Sequence, residues 1–155
     1  MLAYPKHYLL SSGCGADEYP LVAFDSALLS AGISNYNLLK VSSILPRNCE
    51  LSQRLDLREG SALLVAYSSV STDKEGELIA SAVAVGIPED PGQVGVIMEC
   101  SGHYDAQTAD RLARDMAEKA MRNHGIRLKE IRSSSIEAVG AGGKTVTVLS
   151  ALSMW

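Results

Sequence analysis

Between Asp105 and Asn123, apolar residues recur three and four positions apart: Ala109, Leu112, Ala113, Met116, Ala117, Ala120 and Met121. That period predicts an amphipathic helix, and Gly125 stands just beyond to close it. The rest of the chain is patterned in shorter pieces. Tyr8–Cys14 predicts a short strand ending in a Gly-rich turn, and Asp17–Pro20 a loop. Asp25–Ala31 predicts a short helix with Asp25 as its cap and Gly32 at its end. Leu38–Val41 is a short apolar run that fits a strand leading into Ser42-Ser43, after which Pro46 and Asn48 break the chain. Leu51–Glu59 is polar and irregular. Ala62–Val70 and Glu77–Val85 predict two strands, with a turn signal at Thr72-Asp-Lys-Glu-Gly76 between them, hence a hairpin. Pro88–Gly92 is a turn and Val94–Cys100 is β-rich. Ile131–Val139 and Thr145–Leu152 predict two last strands around Gly140-Ala-Gly-Gly143. Together these elements predict one α+β domain, with mostly antiparallel strands and helices whose apolar stripes need a sheet to cover.

Composition narrows this picture mainly by exclusion. A chain of 155 residues with 46% hydrophobic and 21% charged positions is long enough for one domain with a core, and is neither disordered nor fibrous. A net charge of −4 lacks the basic footprint that nucleic acid demands. No apolar run approaches the roughly 18 residues of a membrane span, and the first ten residues do not read as a secretory signal. Cys14, Cys49 and Cys100 are odd in number and far apart, which fits three reduced thiols in the cytoplasm rather than a disulfide framework. His7, His103 and His124 show no ligand spacing, so no metal is expected.

The candidate chemistry is the pair Ser42-Ser43. A peptide bond before a serine can break without a protease when a tightly held turn aims the hydroxyl at the preceding carbonyl. The Ser43 hydroxyl attacks the carbonyl carbon of Ser42, and the amide becomes an ester. β-Elimination frees the Ser42 carboxylate and leaves dehydroalanine at position 43. Hydrolysis then releases ammonia and leaves a pyruvoyl group, whose ketone forms a Schiff base with an amino acid and draws electrons as carbon dioxide departs. Ser-Ser pairs are common, Glu99 is by default a solvated strand-end residue and Asp25 a helix cap, so none of the three carries the reading alone.

Their combination does. Ala23-Phe-Asp-Ser-Ala-Leu-Leu-Ser-Ala-Gly-Ile33, Asn35-Tyr-Asn-Leu-Leu-Lys-Val-Ser-Ser-Ile-Leu-Pro46, Val94-Gly-Val-Ile-Met-Glu99 and the tail through Trp155 resemble, in order, the pyruvoyl-dependent arginine decarboxylase family. The resemblance implies a four-layer αββα sandwich and cleavage into a small chain, 1–42, and a larger one, 43–155, that begins with the covalent pyruvoyl cofactor. It implies conversion of L-arginine to agmatine and carbon dioxide. Asn37 matches the position that assists processing, Glu99 the acid that protonates the α-carbon, and Asp25 the carboxylate that meets the guanidinium. Leu28, Ser34, Tyr36, Ser42 and Ile44 match positions lining the substrate pocket. Ser34 stands where a glycine is common and Tyr36 where a small apolar residue is common. A related enzyme for histidine or another amino acid, and an uncleaved trimeric relative, therefore stay open beside the arginine reading. Family members form trimers with active sites between subunits, so a homotrimer or a pair of trimers is expected here.

Overall fold

The computed structural model describes residues 2–155. In chain order the elements are β1 (His7–Asp17), α1 (Pro20–Ser30), β2 (Asn37–Lys40), β3 (Ile44–Leu45), β4 (Glu50–Leu51), β5 (Ala62–Thr72), β6 (Leu78–Pro88), β7 (Gly95–Gly102), α2 (Ala106–Asn123), β8 (Leu128–Val139) and β9 (Thr145–Met154). Five strands form one sheet in the order β2-β5-β9-β1-β4, and four form the other in the order β3-β7-β6-β8. Most pairings are antiparallel; β1–β4 and β2–β5 are parallel. The result is the α+β domain that the pattern predicts.

Helix α2 follows its sequence closely. Asp105 caps it by accepting from the Thr108 amide at 2.7 Å, and Gly125 turns the chain out at φ 69°. Its Ala109, Ala113 and Ala117 recur every fourth residue and lie fully buried on Ala80, Ala82 and Ala84 of β6. Helix α1 lies on the five-stranded sheet. It starts at Pro20, whose missing N–H costs nothing in a first turn. Asp25 is therefore in the middle of the helix rather than at its cap. Asp17 instead accepts from the Tyr19 amide at 3.0 Å, just ahead of the helix.

Two other expectations are corrected. Strand β1 does not end in a turn at Gly13 but runs through Gly13 and Gly15 to Asp17. Those glycines are where α1 presses on the strand: a methyl added at Gly13 would meet the Ala27 carbonyl oxygen and lie 2.6 Å from the Ala31 nitrogen. Ala23, Ala27 and Ala31 form the matching small face of the helix. Strands β5 and β6 also do not form a hairpin, because they belong to different sheets. Their turn carries the chain across the layers, as does the turn between β8 and β9. The two crossings are laced together by Gly76 N–H to Gly140 O at 2.9 Å and Gly140 N–H to Glu77 O at 2.8 Å.

Between the sheets the filling changes character along the strands. One end is apolar, with Tyr8, Leu45, Ala66, Val83, Val85, Ile97, Leu152 and Met154. Beyond it lies a seam of serines. The Ser12 hydroxyl meets those of Ser134 and Ser150 at 2.7 Å, Ser150 donates to the Ser81 carbonyl at 3.0 Å, and Ser81 donates to that of Ser68 at 2.8 Å. Satisfied in this way, the buried hydroxyls add directional contacts that hold the two sheets in register. Gly13→Ala is expected to destabilise the fold by about 1–3 kcal/mol or more, because helix backbone has to move. Chemical denaturation of the variant beside Ser12→Ala, which only removes hydroxyl contacts, checks that the helix contact is the more demanding of the two.

Candidate active site

Strand β2 is an edge strand of one sheet and β3 an edge strand of the other. Residues 41–43 are all the chain has for passing between them. The near end is held by the Val41 N–H on the Val65 carbonyl at 3.0 Å, and the far end by the Ile97 N–H on the Ser43 carbonyl at 2.7 Å. Ser42 between them is exposed and Ser43 half-buried. The bond joining the two serines thus lies at an open edge with its flanks pinned.

The Ile97 contact also fixes what Ser43 lies beside. Side chains alternate along β7: Met98 and Cys100 pack toward α2, whereas Ile97 joins the cluster between the sheets and Ser101 meets the hydroxyl of Ser68 at 2.7 Å. Glu99 shares the face of Ile97 and Ser101, roughly 6.6 Å along the strand from Ile97. It stands where the apolar filling gives way to the serine seam. Burial holds its carboxyl above the usual glutamate range, and the nearby Lys40 ammonium pulls it partly back. A carboxyl that keeps its proton to higher pH, next to an anchored serine, is equipped to act as a general acid.

The remaining expected residues are distributed more widely. Ile44 follows Ser43 and is 40% exposed. Asn37 opens β2, and its Nδ2 donates to the Gly60 carbonyl at 2.8 Å rather than to the serine pair. Tyr36 donates to the Leu57 carbonyl at 3.1 Å, and Ser34 is half-buried in the same connection. Leu28 is buried under α1 with Ile33, Leu63 and Leu149. Asp25 lies exposed on the outer face of α1, where helical spacing puts it among the exposed Leu21, Val22 and Leu29. The crossing therefore sets Ser42, Ser43 and Ile44 beside the strand that carries Glu99, and Asp25 lies on the exposed face of α1.

Sequence reasoning passed over one contact beside the crossing: the Lys40 Nζ lies 4.4 Å from the ring centroid of Tyr67, which packs toward α1. Lys40 stands inside the motif, three positions before Ser43, but nothing in its spacing marks a role. Among the described residues no group of three or more His, Cys, Asp or Glu could hold a metal.

Comparison with known proteins bears on the family. The family model for pyruvoyl-dependent arginine decarboxylase matches residues 7–155. A pyruvoyl-dependent arginine decarboxylase of Methanocaldococcus jannaschii is 38% identical over 133 residues, covering 86% of this chain and 81% of its own. That of Methanococcus aeolicus is also 38% identical with the same coverage, and that of Thermococcus kodakarensis is 34% identical over 134 residues, covering 86% and 85%.

The environment of Glu99 has a consequence for stability. A carboxyl raised in the folded state favours the fold while protonated and loses that advantage as pH rises through its folded pKa. In an uncleaved Ser43→Ala background, Glu99→Gln is expected to raise the melting temperature at about pH 7 and leave it unchanged near pH 4. Calorimetry at the two pH values checks this; an equal shift at both would show that packing, not charge, is responsible.

Proposed function

Because this chain belongs to the pyruvoyl-dependent arginine decarboxylase family, we propose that it cleaves its own Ser42–Ser43 bond and that residue 43 becomes the covalent pyruvoyl group. The protein is a decarboxylase acting on arginine with that cofactor. The observation that carries the assignment to these residues is the Ile97 N–H on the Ser43 carbonyl, which docks Ser43 on β7 two residues from Glu99. The surroundings fit the group: a small uncharged ketone needs no counter-ion, Ile44 offers an apolar neighbour, and Glu99 offers a proton.

When formed, the group supplies a ketone that takes the substrate's α-amine and draws electrons as carbon dioxide leaves. The chain's own residues do the rest. Pinned flanks keep the Ser43 hydroxyl beside the Ser42 carbonyl during cleavage. Asn37, tied to Gly60, holds the start of β2 and assists that step. Glu99 delivers a proton to the α-carbon, giving agmatine. Asp25 pairs with the guanidinium, for which a planar two-oxygen carboxylate is well suited. Leu28, Ser34, Tyr36, Ser42 and Ile44 shape the pocket.

The case for assembly starts from exposed apolar residues beside Asp25 and Ser43. Exposed Leu21, Val22 and Leu29 surround the first, and exposed Leu39 and Ile44 flank the second. Apolar rims of this kind are surfaces that partners cover. In a homotrimer, or a pair of trimers, one subunit's Asp25 would meet the neighbour's Ser43 and Glu99. The protomer itself is a four-layer αββα sandwich, a reading supported by α1 packed on the five-stranded sheet and α2 on the four-stranded one. Among the described residues, no helix is long and apolar enough to cross a membrane. The three free cysteines accord with work in the cytoplasm.

Carbon dioxide release measured across arginine, lysine, ornithine and histidine tests the substrate: arginine should be strongly preferred, and histidine in its place would overturn the reading. Asp25→Asn should lower kcat/KM for arginine about ten- to a hundredfold, the worth of one charge-assisted contact. Ser43→Ala should leave the chain uncut.

A further inference from the structure

We propose that the turn Arg58–Ser61 is a positioning element for self-cleavage: by holding residues 35–37 it fixes the register of β2, and so where the crossing delivers Ser42 and Ser43. The inference rests on the reading that this chain cuts its own Ser42–Ser43 bond.

The hold is dense for so short a strand. β2 has four residues and pairs only with β5, from Asn37 opposite Ala62 to Lys40 opposite Val65. At its start, three consecutive residues reach the stretch Leu57–Ser61. Asn35 donates through Nδ2 to Glu59 Oε1 at 2.8 Å, and its carbonyl accepts from the Gly60 N–H at 2.7 Å. The Tyr36 hydroxyl donates to the Leu57 carbonyl at 3.1 Å. Asn37 donates twice, its N–H to the Ser61 carbonyl at 2.9 Å and its Nδ2 to that of Gly60 at 2.8 Å. The turn itself is closed by the Ser61 N–H on the Arg58 carbonyl at 3.1 Å, with Gly60 at φ 84°. Glycine takes that third position of a turn without strain.

Register is what such a hold controls. An edge strand paired over a few residues is weakly specified by its ladder alone. A slip of one residue would move Ser42 by roughly 3.3 Å and turn every side chain of β2 to the opposite face. The crossing has no spare residue to absorb that, because its ends are pinned at Val41 on Val65 and at the Ser43 carbonyl on Ile97. When the turn opens, the aligned arrangement is populated a smaller fraction of the time, and cleavage slows by that fraction. After the cut the situation changes. Residues 35–37 then belong to the small chain, and the new end of the large chain is held by β3 on β7, without β2. The turn therefore governs the rate of cleavage and not turnover by cleaved chains.

Gly76 supplies a matched control. It stands in the turn between β5 and β6 at φ 78°, and at both glycines nothing lies within 4 Å of where a Cβ would be. Alanine adds the same backbone strain at either position without a clash, but only Gly60 touches the start of β2. Cleavage is followed on freshly made chains by denaturing mass spectrometry. Gly60→Ala should cleave roughly fivefold or more slowly than Gly76→Ala, although the two melt alike in the uncleaved Ser43→Ala background. Gly60→Asn, which tolerates positive φ better, should recover most of the wild-type rate. Measured per cleaved chain, kcat should stay within about twofold of wild type in all three. Equal cleavage rates in Gly60→Ala and Gly76→Ala overturn the inference, as does a fall in kcat that matches the fall in cleavage. A wild-type chain that never cleaves overturns the self-cleavage reading instead.

Discussion

The crossing from β2 to β3 is the constraint on which the site depends. Packed sheets lie about 10 Å apart, and the four residue steps from Lys40 to Ile44 reach at most roughly 13–14 Å. The chain must also travel from one sheet edge to another, so it has no slack. Its two ends are pinned by single backbone hydrogen bonds, Val41 to Val65 and Ile97 to Ser43. A serine hydroxyl in such a segment has few directions to explore, which is what the proposed attack on the preceding carbonyl needs. Here the fold contributes by restriction: the reactive geometry is a consequence of how two sheets are joined.

That restriction also makes the site's other parts intelligible. β7 binds the Ser43 carbonyl, and its alternation of faces turns Glu99 toward the same interior. The filling between the sheets sets that residue's acidity, because Glu99 stands at the boundary of an apolar cluster and a serine seam. The packing of α1 on Gly13 and Gly15 presents Asp25 to the outside on a close-packed support. Exposed apolar residues stand beside it and beside Ser43, the rims that the proposed assembly would cover.

Much of this was legible from the chain alone, for reasons that can be named. Helix α2 declared itself through a clean period and the closing Gly125. Ser43 and Glu99 were singled out because the surrounding motifs are specific in combination, although each is weak singly. The missed features share a cause: they depend on which sheet a strand joins. Thr72–Gly76 signals a reversal of direction but cannot say that β5 and β6 separate into different layers. Gly13 and Gly15 read as a turn because glycine is common there; their actual role, admitting a helix backbone, needs Ala23, Ala27 and Ala31 in place. Asp25 resembles a cap until Pro20 is recognised as the helix start. Tyr67 and Lys40 lie 27 positions apart, and only the parallel pairing of β2 with β5 brings them together.

The most direct test of the central claim is the intact mass of the purified wild-type protein under denaturing conditions. Two chains are predicted, 1–42 and 43–155, the larger lighter by one ammonia than the same chain beginning with serine. A persistent single chain of 155 residues, or a fragment beginning with an ordinary Ser43, would contradict it.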